Sequence, residues 1–275
     1  MKLINGQPAE ALSLADRAIQ FGDGVFRTLK VEAGGVAFWA RHYAKLRADC
    51  AALAIVCPDE ATLLDDLRRL GVRDATVKII ITRGESARGY AVPAACTPNR
   101  IVQAAPLPQY PAAHFEHGVT LRVCETRASW QPALAGVKHL NRLENVLARQ
   151  EWQDPAIFDG LLLDRDGMVV EGVISNVFAL QGRRVLTPTL VNSGVAGVMR
   201  GILLELFSSM GYEAIPSDMT LEELARSEQL WLSNSLFGLL PVASLQHWRW
   251  QPHPLGAVVR EALTALAQRE TLQLV

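Results

Sequence analysis

Lys138 stands in the run Gly136-Val137-Lys138-His139-Leu140-Asn141-Arg142-Leu143-Glu144-Asn145, between an apolar dipeptide and a stretch whose apolar positions are Leu140, Leu143 and Leu147. A lysine that leads into a buried segment can be stripped of water. Desolvation disfavours its charged form and leaves a nucleophilic amine, which is what Schiff-base chemistry requires. The plain alternative is a surface lysine beginning a helix. Glu171 opens Glu171-Gly172-Val173-Ile174-Ser175-Asn176, a tight corner between two apolar strands. A carboxylate with Ser175 and Asn176 there fits turn chemistry; it also fits a partner for a protonated ring nitrogen with its hydrogen-bonding shell. The run Asn192-Ser193-Gly194-Val195-Ala196-Gly197-Val198-Met199-Arg200-Gly201 is a glycine-containing loop leading into a helix expected over 202–210. Exposed amides at a helix N-terminus bind phosphate.

Taken one at a time, each feature has an ordinary structural explanation. An amine, a carboxylate and an anion cradle in one chain are together the parts of a pyridoxal phosphate site. Other chemistries find less support. Gly22-Asp23-Gly24-Val25-Phe26-Arg27 is a truncated G-x-G-x-x-G that precedes a strand instead of a helix, Gly84-Glu85-Ser86-Ala87-Arg88 misses G-x-S-x-G at its last position, and no G-x-x-x-x-G-K-[ST] occurs. These glycines read as turns. The six histidines form no H-E-x-x-H, and His114 with His117, in a loop-like region, reads as a solvated pair; no metal is expected. Cys50, Cys57, Cys96 and Cys124 are scattered and read as reduced, small apolar residues.

The elements that must position these groups fall in two parts. Residues 26–32 and 36–40 are β-prone runs separated by Ala33-Gly34-Gly35, a hairpin signal. Helical spacing follows from Arg41 through Leu46, Cys50 and Leu53, and over 59–70 through Leu63, Leu64 and Leu67; 77–82 and 100–105 are buried-strand runs. This β-β-α-α-β-β order predicts an α+β unit over residues 1–107. The segment 105–113 holds Pro106, Pro108 and Pro111, too dense for a helix or central strand, so 108–112 reads as a linker and 113–275 as a second, larger domain. Strands are expected there near 119–124, 160–163, 177–180 and 230–233, and helices over 140–152, 200–210 and 255–266.

The chain has 275 residues, 49% hydrophobic and 20% charged, as in soluble globular proteins. With 27 Lys and Arg against 28 Asp and Glu the net charge is −1, which argues against nucleic-acid binding through bulk charge. No apolar run approaches the roughly 18 residues of a membrane span, and the start MKLINGQPAE has no apolar signal core. A cytoplasmic protein without nucleic-acid or membrane partners is expected.

Lys138 in KHLNRLEN, Glu171 in EGVISN and the run from Asp16 to Phe26 (DRAIQFGDGVF) resemble the class IV aminotransferase family, from LINGQ at residue 3 through LWLSNSLFGLLPV at 230–242. The family comprises fold-type IV pyridoxal phosphate enzymes: D-amino acid and branched-chain aminotransferases, and lyases acting on aminodeoxychorismate. The KHLNRLE region, Arg83-Gly84 followed by Arg88-Gly89-Tyr90, and Thr28 after Phe26 are most similar to the lyases. The resemblance implies a two-domain fold with the cofactor between the domains, a homodimer, and formation of 4-aminobenzoate and pyruvate from 4-amino-4-deoxychorismate in folate synthesis; amino transfer is the alternative. It implies that Lys138 holds the cofactor and moves protons, and that Glu171 pairs with its ring nitrogen. Ser175 and Asn176 would line it, and the amides of Val198 and Met199 with Ser235 would hold its phosphate. Lys45 stands where the family pattern H-x-x-R-L has arginine, keeping the charge without the bidentate fork. Thr28 and Lys138 are implied as proton donors to the leaving group, and Arg88 with Tyr90 as substrate contacts.

Overall fold

The computed structural model describes residues 1–274. One unit comprises residues 1–108, 137–141 and the segment from Ala267 onward; the other comprises 109–136 and 142–266.

The first unit is built on β1 (Lys2–Ile4), β2 (Gln7–Pro8), β3 (Gly24–Glu32), β4 (Gly35–Ala37), β5 (Ala75–Thr82) and β6 (Arg100–Ala105). Along β3 the side chains alternate, with Val25, Arg27, Leu29 and Val31 buried and Phe26, Thr28 and Lys30 on the opposite face. α1 (Arg17–Phe21) precedes β3, while α2 (Trp39–Ala52) and α3 (Glu60–Leu70) contribute Leu46, Cys50, Leu63 and Leu67 to a core with Val25, Leu29, Val77, Ile79 and Ile81. α3 is well signalled locally: the Asp59 carboxylate accepts from Thr62 N at 2.8 Å, Glu60 occupies the first turn, Arg68 and Arg69 the last, and Gly71 closes the helix. The expected strand over 36–40 is shorter than its composition suggests. Phe38 adopts a left-handed backbone (φ 60°), which ends β4 and lets α2 begin at Trp39.

The second unit holds β7 (Val119–Val123), β8 (Ile157–Leu163), β9 (Val169–Gly172), β10 (Asn176–Gln181), β11 (Arg184–Thr187), β12 (Glu213–Pro216), β13 (Gln229–Asn234), β14 (Gly238–Leu245) and β15 (Trp248–Arg249), with helices α4 (Ala112–Glu116), α5 (Leu143–Gln150), α6 (Val198–Ser209), α7 (Leu221–Ala225) and α8 (Leu255–Arg269). Its sheet runs β12-β11-β10-β13-β14-β7-β8-β9, with β15 on β14. The residues just after β6 carry no helix or strand, and α4 starts at Ala112. His114 lies on α4 with its ring edge-on to Phe158, so it packs where a solvated pair with His117 was expected.

After α8 the chain returns to the first unit as β16 (Thr271–Gln273), which pairs antiparallel with β4 and completes the order β16-β4-β3-β5-β6-β1-β2. The stretch 113–275 therefore does not stay in one unit. Residues 137–141 depart from it as well. Phe26 N donates to Lys138 O at 2.9 Å and Leu140 N to Gly24 O at 3.0 Å, so backbone groups that a helix over 140–152 would need are committed to β3, and α5 begins only at Leu143. The glycines of the N-terminal motif make room for this segment. A Cβ on Gly24 would lie 2.8 Å from Leu140 Cδ1, and one on Gly22, which caps α1 at φ 66°, would collide with the Asn141 side chain. The apolar stripe of α5 is not a core face: Leu143 and Leu147 are 75% and 55% exposed.

Asp16 fastens α1 to this framework. Its fully buried carboxylate accepts from Ala18 N at 2.7 Å and from Thr82 Oγ1 and Asn99 Nδ2 at 2.8 Å. Asp16→Ala strands three donors, each costing about 1–3 kcal/mol when left buried and unmade. We expect a loss of about 3 kcal/mol in urea unfolding, with an unchanged slope.

Candidate active site

Within the first unit the chemistry gathers on the open face of β3. Lys138 Nζ lies 4.6 Å from the centre of the Phe26 ring and Lys78 Nζ 4.5 Å from it. Lys78 is the cross-strand partner of Thr28, and the pleat puts Thr28 on the Phe26 face. Burial lowers the pKa of Lys78. Two lysine side chains thus share one half-buried aromatic floor, with Thr28 on the same face of the strand.

On the other face of β3 lies a buried ion cluster. Asp49, on α2, pairs with Arg27 and with Lys45, and its Oδ2 accepts from Lys138 N at 3.3 Å. Burial, reinforced by the charges of Arg27 and Lys138, pushes the Lys45 ammonium down to about 7. Burial and Arg27 likewise hold His42 down to about 3, so it is neutral across the physiological range. Removing one member of a buried pair typically costs about 3–5 kcal/mol, so Asp49 is what makes Arg27 tolerable inside the unit. The sequence does carry a signal for Arg27: it is the one charged residue among the alternate positions Val25, Leu29 and Val31.

In the second unit Glu171, buried on β9, accepts from Val195 N at 2.9 Å and from Asn176 Nδ2 at 3.3 Å, through the same oxygen. Asn176 Nδ2 also donates to Val195 O at 2.8 Å, which locks the loop after Gly194 onto β10. The charges of Arg142 and Arg200 bear on Glu171: burial lowers the pKa of both guanidinium groups and the carboxylate opposes that effect. Arg200 itself donates to Thr187 Oγ1 at 3.2 Å and to Pro188 O at 2.7 Å. Ser175 is turned to another task. Its hydroxyl donates to Asp159 Oδ2 at 2.7 Å, while Asp159 Oδ1 accepts from Gly160 N at 2.9 Å. Burial raises the pKa of Asp159 to about 6 against these bonds. Asp159 was not singled out from the sequence, yet it holds the corner that follows Glu171.

α6 starts at Val198, four residues before the helix expected from the glycine loop, so Val198 and Met199 occupy its first turn. Gly197 caps it without any side-chain hydrogen bond, and the first turn has no acidic residue. Its leading N–H groups are therefore the unfilled donors of a helix N-terminus. Ser235 is half-buried in the β13–β14 turn, which Asn234 Oδ1 holds by accepting from Leu236 N and Phe237 N at 2.9 and 3.1 Å. Ser233, the cross-strand partner of Asn176, has a buried Oγ with no hydrogen-bond partner among the described residues; the sequence points to Ser235 and not to it.

Arg88 and Tyr90 lie in the loop between β5 and β6, both exposed. The backbone of that loop is anchored. Arg17 donates to the carbonyls of Gly89, Tyr90 and Ala91 at 3.2 to 3.3 Å, and its own charge is met by Asp23 at 2.8 Å. Lys138, Thr28 and Lys45 thus gather around β3, and Glu171, Asn176, Val198 and Met199 around the loop after Gly194.

The model of the family Amino-transferase class IV matches residues 24–245. An aminodeoxychorismate lyase from Vibrio harveyi is 38% identical over 88% of this chain and 90% of its own. A D-alanine aminotransferase from Bacillus licheniformis is 28% identical over 96% of this chain and 95% of its own. The crystal structure of 4-amino-4-deoxychorismate lyase from Pseudomonas aeruginosa superposes with a TM-score of 0.93 at 42% identity, covering 96% of this chain and 98% of that one.

The chain belongs to the class IV aminotransferase family.

The residues present fit the cofactor that the family resemblance implies. Pyridoxal phosphate needs an amine, an acceptor for a ring N–H and donors for a dianion. The first unit has an amine in Lys138, and the second has a buried carboxylate in Glu171. The uncapped start of α6 supplies donors, and the unpartnered Ser233 hydroxyl offers another.

Asp159 yields a pH test of the class IV corner after Glu171. Its folded pKa of about 6 lies above the ordinary 3.8, so between about pH 4 and 6 the folded state binds more protons than the unfolded one. Stability should fall as pH rises through that window, by on the order of 3 kcal/mol. His42, whose pKa is depressed, contributes with the opposite sign, so wild type must be compared with Asp159→Asn. The variant is expected to lose the Asp159 component of the slope, seen in urea midpoints at pH 4 and 6.5.

Proposed function

We propose that this protein is a pyridoxal-phosphate-dependent lyase that converts 4-amino-4-deoxychorismate to 4-aminobenzoate and pyruvate in folate synthesis. The observation that carries this reading is the open face of β3, where Lys138 and Lys78 share the Phe26 floor and Thr28 stands directly across from Lys78. The likeness to lyases at 38% and 42% identity, against 28% for the D-alanine aminotransferase, supports the same reaction.

When bound, the cofactor supplies an electron sink for the pair left on the substrate carbon. Lys138 would hold the cofactor, and its amine would take the C4 proton of the substrate. Expelling the enolpyruvyl group makes the ring aromatic, and that group needs a proton to become pyruvate. Thr28 Oγ1 or the Lys138 ammonium gives it. The substrate carries two carboxylates, and Lys78, directly across from Thr28, is placed to pair with one of them. Arg88 can take the other in bidentate fashion, with Tyr90 beside it on the exposed loop. Phe26 keeps water from one side of the amines, which strengthens each of these charge contacts.

Glu171, oriented by Val195 N–H and Asn176, would accept the ring N–H and keep that nitrogen protonated. The amides of Val198 and Met199, with Ser235 and Lys45, would hold the phosphate. Lys45 already shares Asp49 with Arg27, so its charge is partly spent and the helix amides carry more of the anion. Ser175 acts on the site through Asp159 and the backbone of the corner. The protein works in the cytoplasm as a homodimer; the apolar stripe of Leu143, Val146 and Leu147 on α5, open to solvent, supports a second copy covering it.

Borohydride reduction of the protein purified with its cofactor should add the pyridoxyl group to Lys138. Label on Lys45 or Lys78 in the peptide map would overturn the assignment. Thr28→Val is nearly isosteric and should lower 4-aminobenzoate formation by about 10²–10⁴-fold while leaving cofactor absorbance in place. Unchanged turnover would make Lys138 the donor, and brisk amino transfer from D-alanine with no 4-aminobenzoate fluorescence would replace the lyase by an aminotransferase.

A further inference from the structure

The connection from β5 to β6, residues 83–99, forms neither helix nor strand. A loop of that length within a compact unit serves a function or hangs loose, and this one is tied at two levels. Its base is pinned by backbone bonds: Arg17 N donates to Gly84 O at 2.9 Å, Ser86 N to Ala15 O at 3.2 Å and Thr82 N to Asn99 O at 2.9 Å. Its apex is held by one side chain. Arg17, buried on α1, donates from Nη1 to Ser86 Oγ at 3.0 Å, Gly89 O at 3.2 Å and Ala91 O at 3.3 Å, and from Nη2 to Tyr90 O at 3.2 Å. Three successive carbonyls therefore converge on one guanidinium. Its Nε meets Asp23, which also takes two bonds from Arg83, and Arg83 in turn holds the carbonyls of Leu53 and Ala54. The clamp thus stands on the frame of the unit. The Phe21 ring completes it, 4.9 Å from the Arg17 guanidinium and with its centre 5.2 Å from that of Tyr90.

We propose that Arg17 is a positioning residue for substrate: by fixing the backbone of residues 89–91 it presents Arg88 and Tyr90 to a substrate carboxylate, and so sets affinity without touching the substrate. Arg88 and Tyr90 are carboxylate contacts under the lyase reading, on which this role of Arg17 rests. The role calls for arginine. The three donors of a lysine radiate from a single atom and cannot span Asp23 and the carbonyls of three residues at once. Gly89 marks the same requirement from the side of the loop. Its φ of 107° is a conformation that L side chains rarely adopt, yet a Cβ there would meet nothing within 4 Å. The backbone path, and not crowding, demands glycine.

A loop already held in one conformation binds without first having to be ordered. Once released, only a fraction of the molecules is competent, and the apparent affinity falls by that fraction. A carboxylate away from the reacting carbon is gripped alike before and during the reaction, so the loss appears in KM and not in kcat.

Two variants test this from opposite sides. Arg17→Lys keeps a charge opposite Asp23 and loses the fork, whereas Gly89→Ala leaves Arg17 whole and disfavours the loop path. Each protein, purified with its cofactor, is assayed for KM and kcat on 4-amino-4-deoxychorismate and, without substrate, for native trypsin cleavage between Arg88 and Gly89. Both variants are expected to raise KM about tenfold or more, as for a loop correctly placed about a tenth of the time. Turnover and cofactor absorbance should stay near wild type. Cleavage after Arg88 should quicken about tenfold or more, since the protease follows the population of the opened loop, while cleavage elsewhere keeps its wild-type rate. An unchanged rate at Arg88 in Arg17→Lys would refute the clamp. Faster cleavage beside an unchanged KM would refute the role in affinity, and so would a fall in kcat at constant KM. Should Arg17→Lys fail to fold, Gly89→Ala carries both measurements. A wild type that forms no 4-aminobenzoate sinks the lyase reading instead; the trypsin rates, which need no substrate, still decide whether Arg17 holds the loop.

Discussion

Phe26 N–H and Leu140 N–H bind a segment from the middle of the chain to β3, and most of what matters in the first unit follows from those two backbone bonds. They bring Lys138 beside Phe26 and Thr28, although more than a hundred residues separate them in sequence. They require glycine at position 24, because any side chain there would occupy the space of Leu140. They also delay α5, since residues 138–140 cannot serve a strand and a helix at once. Asp49 adds a third tie by accepting from Lys138 N. The lysine is thus fixed by its backbone, which suits the role proposed for it of carrying both a group and a proton.

The same economy appears around Glu171. One Glu171 carboxylate oxygen accepts from both Val195 N–H and Asn176 Nδ2. Asp159, behind the corner, is held in place by Ser175 and by backbone amides, and it gives Gly172 a reason to be glycine, because a Cβ there would run into both side chains. In each unit a second buried carboxylate supports the element that presents the reactive group.

Local chemistry in the sequence was legible where one element decides its own fate. The helix over 59–70, the strand over 26–32 and the glycine loop before α6 all read correctly in kind, with boundaries off by a few residues at most. What failed were features set by a distant partner. Phe38 ends β4 through a backbone conformation that its side chain does not announce. Leu143 and Leu147 have helical spacing, but periodicity identifies an apolar face without saying what covers it. The Lys138 motif was legible through its resemblance to a family, whereas Lys78, Asp49, Asp159 and Ser233 emerge only when strands and helices are brought together. Arg27 lies between these cases: its place in the alternation of β3 was visible, but its partner on α2 was not.

The return of β16 to β4 has a bearing on how the protein is made. The strand that closes the first sheet leaves the ribosome after the strands of the second unit, whereas β3, β4 and β5 leave before them. Until Thr271–Gln273 arrives, β4 presents a bare edge with unpaired amides and carbonyls, the kind of edge that recruits other chains. Its shortness, three residues ending at the left-handed Phe38, limits how much template it offers. The nascent chain is thus least protected over its longest wait, and a stub of a strand is a safer edge to leave waiting than a long one.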